Sequence, residues 1–381
     1  MKENKRLKIL FLPIWYPSDE NRVAGIFIRE HAQAAALHND VTVLFSEKAA
    51  KQVIGLYQIV SDRIENGIRT IRVRHKGLPV PIISFFIYFW SLFKNFRKLI
   101  REGWKADVIH AHSYFVGVPA VILGKIYKIP VVITEHWSGF PLRNLRRTSI
   151  FSARFAMNSA DMILPVSHNL KDAIKSYGVR NKFRVIPNVI DTETFFPSTL
   201  QHRNEKKRIL LVALLTPIKG IPYLFQALSQ LRGKRHDFVL DIVGDGPNRR
   251  KYELLAEKLD LVDIVKFHGV KPKSKVAEYM RECNFLVLPS LWENLPCVLI
   301  EAMSSGIPVI ATDVGGVGEM INENVGVLIP SKNANALENA IEHMLDACTH
   351  YSSENIARYA REKFSYAVVG RQLDEIYRKV M

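Results

Sequence analysis

The fold is decided by residues 284–310, NFLVLPSLWENLPCVLIEAMSSGIPVI, in which Glu293 and Glu301 stand eight residues apart. An apolar run of strand length, 284–289, precedes the first glutamate, so we expect Glu293 on a loop at the carboxyl end of a strand. Glu301 is expected about two turns into the helix that follows, on roughly the same side of it. A second apolar run, 308–311, completes a strand–helix–strand pattern.

This spacing also indicates what the segment binds. Ligands of open α/β sheets bind at the carboxyl ends of strands, and a helix N-terminus there favours an anion. Two carboxylates on either side of an anion site suit a ligand with a phosphate centre and hydroxyl-rich ends. A nucleotide-sugar has this shape, with ribose on one side and the donor sugar on the other.

The same alternation of strand-length and helix-length segments runs through all 381 residues. Nearly continuous apolar runs are typical of parallel strands that are buried on both faces, and their alternation with helices favours doubly wound, Rossmann-like sheets. Twelve runs are too many for one typical sheet. They are 7–12, 41–45, 108–111, 131–134, 162–165, 183–187, 208–214, 238–243, 264–267, 285–289, 308–311 and 326–329.

The chain is therefore predicted to form two doubly wound domains. Polar residues without helical periodicity occupy 196–207, which suits a linker. We expect one domain over 1–195, a second domain over 208–363 that carries the nucleotide-sugar site, and a final amphipathic helix over 364–381.

Charge is unevenly distributed. The net charge is +16; residues 1–200 hold 29 Lys/Arg and 15 Asp/Glu, and the remainder holds 24 and 22. A basic first half indicates an anionic partner, for which nucleic acid, an anionic membrane surface and an acidic acceptor all qualify. Solubility alone is the simpler explanation.

The cysteines and the first residues bear on the compartment. Cys283, Cys297 and Cys348 form no Cys-x-x-Cys pair, so neither a disulfide framework nor a zinc site is indicated. No signal peptide is evident at the start. We expect a cytoplasmic protein, with peripheral contact to the inner face of the cell membrane as a further expectation.

The basis for the membrane expectation is segment 78–93, which is rich in aromatic residues and is followed by Lys94, Arg97, Lys98 and Arg101. Its apolar part is shorter than the roughly 20 residues that span a bilayer. An aromatic helix with a basic end can lie in a membrane interface. Alternatively, it is a crossover helix packed on the first sheet, and both descriptions can hold together.

Two glycine-containing turns are predicted in the second domain. Lys219 and Gly220 follow the run 208–214 and open a helix, where a lysine can hold a diphosphate. Gly244 begins Gly-Asp-Gly-Pro after the run 238–243, which is only the start of a dinucleotide fingerprint because Arg249 replaces its third glycine. A tight turn is the simpler interpretation.

In the first domain, three positions are candidates. His112 ends one predicted strand and His136 follows another, so both can face a ligand at the strand ends, although a lone histidine is usually structural. His110 shares a face with His112, but no acidic third ligand is nearby, so we expect no metal site. Gly25 lies in the loop after the first strand, where glycine lets the backbone approach a phosphate or simply begins a helix.

These motifs resemble those of the retaining glycosyltransferases of family 4, which have the GT-B fold of two Rossmann-like domains facing across a cleft. The likeness covers nearly the whole chain and is most specific from 210 to 320. It rests on DVIHAH (107–112), IPNVID (186–191), VALLTPIKG (212–220), VGDGP (243–247), VKFHG (265–269), LPS (288–290), the Glu293–Glu301 pair, EAM (301–303) and GGVGE (315–319).

The resemblance implies a role for each matching residue. Lys219 would hold the donor diphosphate, Glu293 the sugar hydroxyls and Glu301 the ribose. Amides near Leu295, Cys297 and Val298 would face the phosphates, and His112 would contact the donor sugar near the reacting carbon. The first domain would be the acceptor-binding one, and the final helix would cross back to it.

The chain departs from the family pattern at two positions. Leu214 stands where an arginine often assists the lysine, for which Arg249 or Arg250 is a candidate replacement. Pro296 stands where glycine is common, which removes one amide donor.

We therefore expect a retaining glycosyltransferase that moves a sugar from a nucleotide-sugar to a glycan or lipid-linked acceptor, in cell-surface polysaccharide or glycolipid synthesis. Neither a metal nor a covalent nucleophile is expected. A nucleotide-sugar epimerase of the same fold is the enzymatic alternative, and a basic nucleic-acid-binding protein, which lacks any recognisable binding motif here, is the alternative from another class.

Overall fold

A computed structural model describes residues 5–18, 21, 23–49, 53–198 and 206–381. The chain divides into two compact units, Met1–Val189 with Tyr366–Met381, and Ile190–Ser365. Residues 190–195, expected in the first domain, thus belong to the second unit. Of the expected linker 196–207, residues 199–205 lie outside the described residues.

The first unit is built on a twisted sheet of seven strands among its described residues, in the order β3-β4-β2-β1-β5-β6-β7. Each strand pair is parallel except β3 with β4. The strands are β1 (Lys8–Pro13), β2 (Asp40–Lys48), β3 (Tyr57–Glu65), β4 (Ile68–His75), β5 (Val108–His112), β6 (Val131–Glu135) and β7 (Met162–Pro165).

Helices cover both faces of this sheet. Their bounds are α1 (Ile26–Ala36), α2 (Pro81–Arg101), α3 (Tyr114–Tyr127), α4 (Arg147–Ser159) and α5 (His168–Ser176). Crossovers between parallel strands are right-handed. The connection from β1 to β2 moves toward one edge of the sheet, whereas the connections from β4 to β5, β5 to β6 and β6 to β7 move toward the opposite edge. Right-handed connections in opposite directions place their helices on opposite faces, so α1 lies on one face and α2, α3 and α4 lie on the other. Accordingly, α2 packs on α3 and α3 on α4.

The sequence patterns misplace part of this sheet. The β3–β4 hairpin was not expected, although Asn66-Gly67 between its strands is a common signal for a two-residue hairpin turn, and both residues have positive φ. The expected strand 183–187 is wrong. It borders β7 through one bridge, Ile163 to Phe183, and Pro187 at its end has no amide to extend the pairing.

The second unit contains a parallel sheet of six strands among its described residues, in the order β10-β9-β8-β11-β12-β13. The strands are β8 (Lys207–Val212), β9 (Phe238–Val243), β10 (Val265–Gly269), β11 (Phe285–Leu288), β12 (Val309–Thr312) and β13 (Gly326–Ile329). The helices are α6 (Ile221–Arg232), α7 (Arg249–Lys258), α8 (Lys273–Glu282), α9 (Cys297–Ser304), α10 (Ala334–Ala347) and α11 (Ser353–Phe364). Strand–helix alternation places the loops that follow β8, β9, β11 and β12 at one edge.

The final helix, α12 (Tyr366–Val380), belongs to the first unit, where it packs on α1. Val369, Leu373 and Tyr377 on one face are fully buried in the core beneath β1 and β2. A Cβ on Gly370 would lie 2.2 Å from the carbonyl oxygen of Ala34, so the two helices touch backbone to backbone at this glycine.

Candidate active site

Lys219 is held at the carboxyl edge of the second sheet by a turn that requires glycine. A 3₁₀ turn, Pro217–Lys219, follows β8, and Gly220 then has a φ of 65°. A Cβ on Gly220 would lie 2.0 Å from the carbonyl oxygen of Pro289. Only glycine tolerates both conditions readily. Because Gly220 has no side chain, the loop after β8 can pack directly on the loop after β11.

This packing brings Lys219 to Glu293. The Lys219 Nζ donates to Glu293 Oε1 at 2.6 Å, and Ser290 Oγ donates to the same oxygen at 2.7 Å. Ser290 is fully buried, and its carbonyl accepts from the Thr312 hydroxyl at the end of β12. A cation, a carboxylate and two hydroxyls from the ends of three neighbouring strands, β8, β11 and β12, therefore form one network.

Two more glycines allow close approach of backbones at the same edge. Gly315 has a φ of 58°, and its Cβ would lie 1.7 Å from the carbonyl oxygen of Glu293. Gly244 has a φ of 130°, and its Cβ would lie 2.0 Å from the carbonyl oxygen of Ala213. Gly244 thus lets the loops after β8 and β9 pack together, which agrees with the interpretation of Gly244 as part of a tight turn. Gly315 lets the loop after β12 pack against the backbone of Glu293.

Helix α9 begins immediately beyond Glu293. Leu295 is buried, Pro296 is the residue before the first turn, and the half-exposed Cys297 and Val298 open the helix. The first amides of a helix have no partner within it and attract anions. Glu301 lies one turn further along, half-exposed, in the same helix. The order of elements expected around the two glutamates is thus present.

Both arginines named as candidate replacements for the absent arginine pair with carboxylates. Leu214 is 60% exposed. Arg249 pairs with Asp245 at 3.1 Å and with Glu253 at 2.8 Å, and Arg250 lies 3.6 Å from Glu253. Both guanidinium groups are therefore engaged by carboxylates of the loop after β9 and of α7.

In the first unit, His112 ends β5 at the carboxyl edge and is fully buried. Its Nδ1 lies 3.2 Å from His136 Nε2, so the structure brings these two candidates together, whereas its Nε2 has no partner among the described residues. The next residue, Ser113, has a φ of 92°. Side chains rarely adopt this region, and such strain concentrates at functional sites.

His112 and His136 belong to a buried group of four imidazoles. The His31 ring lies 5.7 Å from that of His112 and 5.5 Å from that of His136, and the His110 ring lies 4.3 Å from that of His112. Burial lowers the pKa of each of the four. The group is therefore neutral near pH 7 and can exchange hydrogen bonds without charge.

His110 is fixed from both sides. Its Nδ1 lies 2.7 Å from the Tyr377 hydroxyl, and its Nε2 lies 2.7 Å from the Thr134 hydroxyl. All three residues are fully buried. Because the His110 ring packs against the His112 ring, the final helix braces the end of β5 through Tyr377.

The carboxylate of Glu135 organises the loop that carries His136. It accepts from the backbone amides of Tyr114, His136 and Trp137 at 2.8 to 3.0 Å. Burial raises its pKa to about 7, and these three hydrogen bonds act in the opposite direction. The side chain joins the ends of β5 and β6 to the start of α3.

Gly25, the remaining candidate in the first unit, has a φ of 70° at the start of α1. Its Cβ would lie 2.3 Å from the carbonyl oxygen of Trp15. The close approach that requires glycine is therefore made by the chain's own loop. This observation explains the glycine and leaves its contact with a donor as a prediction.

Within the described ranges, no group of three or more His, Cys, Asp or Glu side chains is arranged to hold a metal ion. The four clustered imidazoles contact hydroxyls, carbonyls and one another instead. Within the same ranges, no helix has the length and apolarity needed to cross a bilayer.

Several residues of these networks escaped the sequence patterns. Ser290 directly follows β11 and Thr312 ends β12, so their positions at strand ends were an available signal. His31 and Tyr377 lie within amphipathic helices and carry no such signal, because only the packing of α12 on α1 and β5 brings them near His112.

Comparison with known proteins identifies the family. Residues 24–194 match the profile of Glycosyltransferase Family 4, and residues 191–363 match that of Glycosyl transferases group 1. The chain belongs to this glycosyltransferase family. The sequence-based expectation of family membership is thereby confirmed.

Individual relatives agree with this assignment. An uncharacterized glycosyltransferase of Methanocaldococcus jannaschii is 31% identical over 267 residues, 69% of this chain and 71% of that protein. TuaC of Bacillus subtilis, a glycosyltransferase named for teichuronic acid biosynthesis, is 28% identical over 388 residues, 97% of this chain and 95% of that protein.

A solved structure confirms the fold. HepE of Anabaena, crystallised in complex with UDP-glucose, superposes with a TM-score of 0.74 at 20% identity over 98% of this chain and 100% of that one. At this identity the likeness establishes the fold alone. The glycosyltransferase therefore has the expected GT-B architecture of two Rossmann-like α/β domains.

Proposed function

We propose that this glycosyltransferase moves a sugar from a nucleotide-sugar to a glycan or lipid-linked acceptor with retention of anomeric configuration. The observation that carries the proposal is the network at the edge of the second sheet. There Lys219 and Glu293 touch at 2.6 Å, just before the first turn of α9, and Glu301 follows one turn into that helix. A nucleotide-sugar has a diphosphate between two groups that carry hydroxyls, the sugar and the ribose. The site offers a cation and helix amides for the diphosphate, with one carboxylate on each side for the hydroxyls.

In this proposal each group has one task. Lys219 and the amides near Leu295, Cys297 and Val298 bind the diphosphate, with Gly244 keeping the adjacent backbone close. Glu293 binds the sugar hydroxyls and Glu301 the ribose hydroxyls. A charged hydrogen bond contributes about 1.5–3 kcal/mol, so these two carboxylates supply much of the specificity.

The chemistry depends on stabilising the leaving diphosphate. Donors already fixed in place where negative charge develops are the largest contribution in many enzymes, and Lys219 is such a donor. Glu293 is engaged by Lys219 and Ser290, which suits a binding and orienting role more than that of a covalent nucleophile. The departing diphosphate oxygen would take the acceptor proton on the same face, which gives retention.

From the first unit, His112 and His136 are proposed to contact the donor sugar or the acceptor, and Gly25 the donor. Burial keeps the pKa of His112 well below its usual range. A neutral imidazole can donate or accept one hydrogen bond without adding positive charge. No metal is included in this mechanism.

The kind of donor and acceptor is supported by the relatives. HepE was crystallised in complex with UDP-glucose, and TuaC is named for teichuronic acid biosynthesis. We infer a nucleotide-sugar donor and an acceptor in cell-surface polysaccharide or glycolipid synthesis, at the cytoplasmic face of the membrane.

The decisive experiment is a screen of purified protein against UDP-, GDP- and ADP-sugars, with and without an extract of lipid-linked and soluble glycans. Release of nucleoside diphosphate that rises with acceptor supports transfer, and NMR of the product shows whether the anomeric configuration is retained. An isomerised donor sugar without acceptor would instead support an epimerase. Parallel reactions with EDTA test the metal-free mechanism.

A further inference from the structure

We propose that the exposed side of α2 is a docking surface for an anionic lipid bilayer. We call it the α2 stripe; it consists of Ile82, Phe86, Trp90, Lys94, Arg97 and Arg101. Docking would bring a membrane-held acceptor to the first unit, and only this purpose rests on the proposed function.

The stripe is continuous along the helix. Its members are three or four residues apart, which places them on one side of an α-helix. Ile82 is 63%, Phe86 62% and Trp90 41% exposed, and the three basic residues are exposed as well. Large apolar side chains that are exposed together indicate an interaction site.

The opposite side of α2 already has its partner. Ile87, Leu92, Phe96 and Leu99 are buried against the sheet. The packing confirms the crossover alternative of the sequence analysis. α2 packs on the first sheet, and the described residues of the first unit leave the apolar side chains of Ile82, Phe86 and Trp90 exposed.

The stripe has an apolar end and a basic end. Lys94 Nζ lies 4.6 Å from the centre of the Trp90 ring, and Arg97 lies 5.8 Å from that of Phe93. Residues 81–101 contain no Asp or Glu. Among described residues, no carboxylate lies within 4 Å of Lys94, Arg97 or Arg101, whereas Lys98 beside the stripe pairs with Glu102.

Neighbouring helices extend this surface. Phe85 lies 5.6 Å, ring to ring, from the partly exposed Phe115 at the start of α3. On α4, Phe151 is 76% exposed, and the ring of Phe155 lies 5.7 Å from Lys125 Nζ. Exposed rings thus recur on all three helices of this layer, and a cation lies beside a ring on α2 and between α3 and α4.

The direction of α2 gives the surface an orientation. The helix starts after β4 and runs back toward the start of β5, so its apolar end lies at the carboxyl edge of the sheet. Phe115 marks the same edge, three residues after His112. A bilayer that takes up Ile82, Phe86 and Trp90 would meet the edge that carries His112, while Lys94, Arg97 and Arg101 contact head groups.

An anionic bilayer fits this surface better than a second copy of the chain. Aromatic side chains prefer the membrane interface, and basic residues are attracted to anionic head groups. A symmetric dimer through the stripe would bury three cations from each copy with no carboxylate on the stripe to pair with them.

The test is co-sedimentation of the whole protein with vesicles of phosphatidylglycerol and phosphatidylcholine, compared with phosphatidylcholine alone. A charge variant, Lys94→Gln with Arg97→Gln and Arg101→Gln, should lose about a hundredfold in partitioning onto anionic vesicles. An apolar variant, Ile82→Ser with Phe86→Ser and Trp90→Ser, should lose the binding that persists at high salt, where charge attraction is screened.

The matched control is Lys251→Gln with Lys258→Gln and Lys266→Gln, which removes the same charge from exposed positions of the second unit. It should bind as the original protein does. Equal losses in the control and the charge variant would overturn the proposal, as would no binding to anionic vesicles at low salt, or dimerisation through the stripe. Donor hydrolysis measured without vesicles reports separately on the proposed function.

Discussion

Lys219 Nζ lies 2.6 Å from Glu293 Oε1, and the two side chains come from loops that follow different strands of the second sheet. Both are mostly buried, with 19% and 12% of their side-chain surfaces exposed. An ammonium group has three N–H donors. One is directed at Glu293, which leaves two for a diphosphate and fixes the position from which they are offered.

Lys219→Ala should therefore reduce catalysis far more than folding. Loss of one charged donor from a site of charge development lowers kcat by about 10²–10³-fold. Glu293 loses one partner at a mostly buried position but keeps its bond to Ser290, so we expect a loss of about 1–3 kcal/mol in stability. Steady-state kinetics and thermal melts measure the two effects.

Lys266→Ala, an exposed lysine of the same unit, is the control and should change neither quantity. Lys219 would be structural rather than catalytic if its replacement lowered the melting temperature strongly while turnover per folded molecule stayed intact.

Glu301→Ala should weaken nucleotide binding, because the proposed bonds to the ribose hydroxyls are lost. A charged hydrogen bond of about 1.5–3 kcal/mol corresponds to about ten- to hundredfold in affinity. Titration calorimetry with the matching nucleoside diphosphate measures it. An unchanged Kd in a folded variant would remove Glu301 from the site, and Glu301→Gln, which keeps an acceptor oxygen, should lose less.

The sequence predicted more of the second unit's elements and site residues than of the first unit's. Apolar runs followed by loops predicted β8, β9, β11 and β12. The segment that contains Glu293 and Glu301 predicted a helix, α9, between β11 and β12. What spacing does not encode is that Lys219 and Glu293 touch. That contact depends on Gly220 packing against the carbonyl oxygen of Pro289, a tertiary approach between segments about 70 residues apart.

In the first unit the limit is different. His112 and His136 were predicted to lie close together because both stand at strand ends of one sheet, and the pairing of β5 with β6 places them side by side. Their buried neighbours, His31 and Tyr377, come from α1 and α12, so their roles depend on helix packing that no local pattern records. The β3–β4 hairpin was missed because its strands are rich in charged residues, and only its Asn66-Gly67 turn marks it.

The four buried histidines should make the first unit sensitive to acid. Their folded pKa values are lowered, whereas an unfolded histidine titrates near 6.5. Below that pH the unfolded chain binds more protons, so stability falls as pH drops from about 6.5, by up to about 1.4 kcal/mol per pH unit for each proton. Glu135, whose pKa is raised to about 7, opposes this trend below pH 7 as a single group against four.

Hydrogen exchange at pH 7.5, 6.5 and 5.5, corrected for intrinsic rates, measures the effect locally. Peptides from β5, β6, α1 and α12 should lose protection on acidification, while those from β8 and β11 provide an internal control. Equal changes in both units would show that the histidine group is not responsible.

Tyr377→Phe should loosen the end of β5 without removing any group proposed to touch substrate. It leaves His110 Nδ1 without its partner at 2.7 Å in a fully buried position, which costs about 1–3 kcal/mol. We expect a lower kcat with little change in donor KM, because Tyr377 acts through His110 on His112. Tyr359→Phe, which removes a similar 2.8 Å bond to the carbonyl oxygen of Met320 in the second unit, is the control. If both variants lower kcat equally, Tyr377 has no positioning role.

Gly220→Ala tests whether the turn after β8 sets the position of Lys219. The added Cβ would lie 2.0 Å from the carbonyl oxygen of Pro289 at a φ of 65°, so the two loops must separate. We expect nucleoside diphosphate affinity to fall at least tenfold, because Lys219 moves with the turn, and stability to fall by about 1–3 kcal/mol.

Gly233→Ala is the matched control at the other end of α6, where φ is −64° and the nearest atom to the new Cβ is 3.4 Å away. It should leave affinity unchanged. Equal affinities for the two variants would show that the contact between Gly220 and Pro289 does not place the lysine.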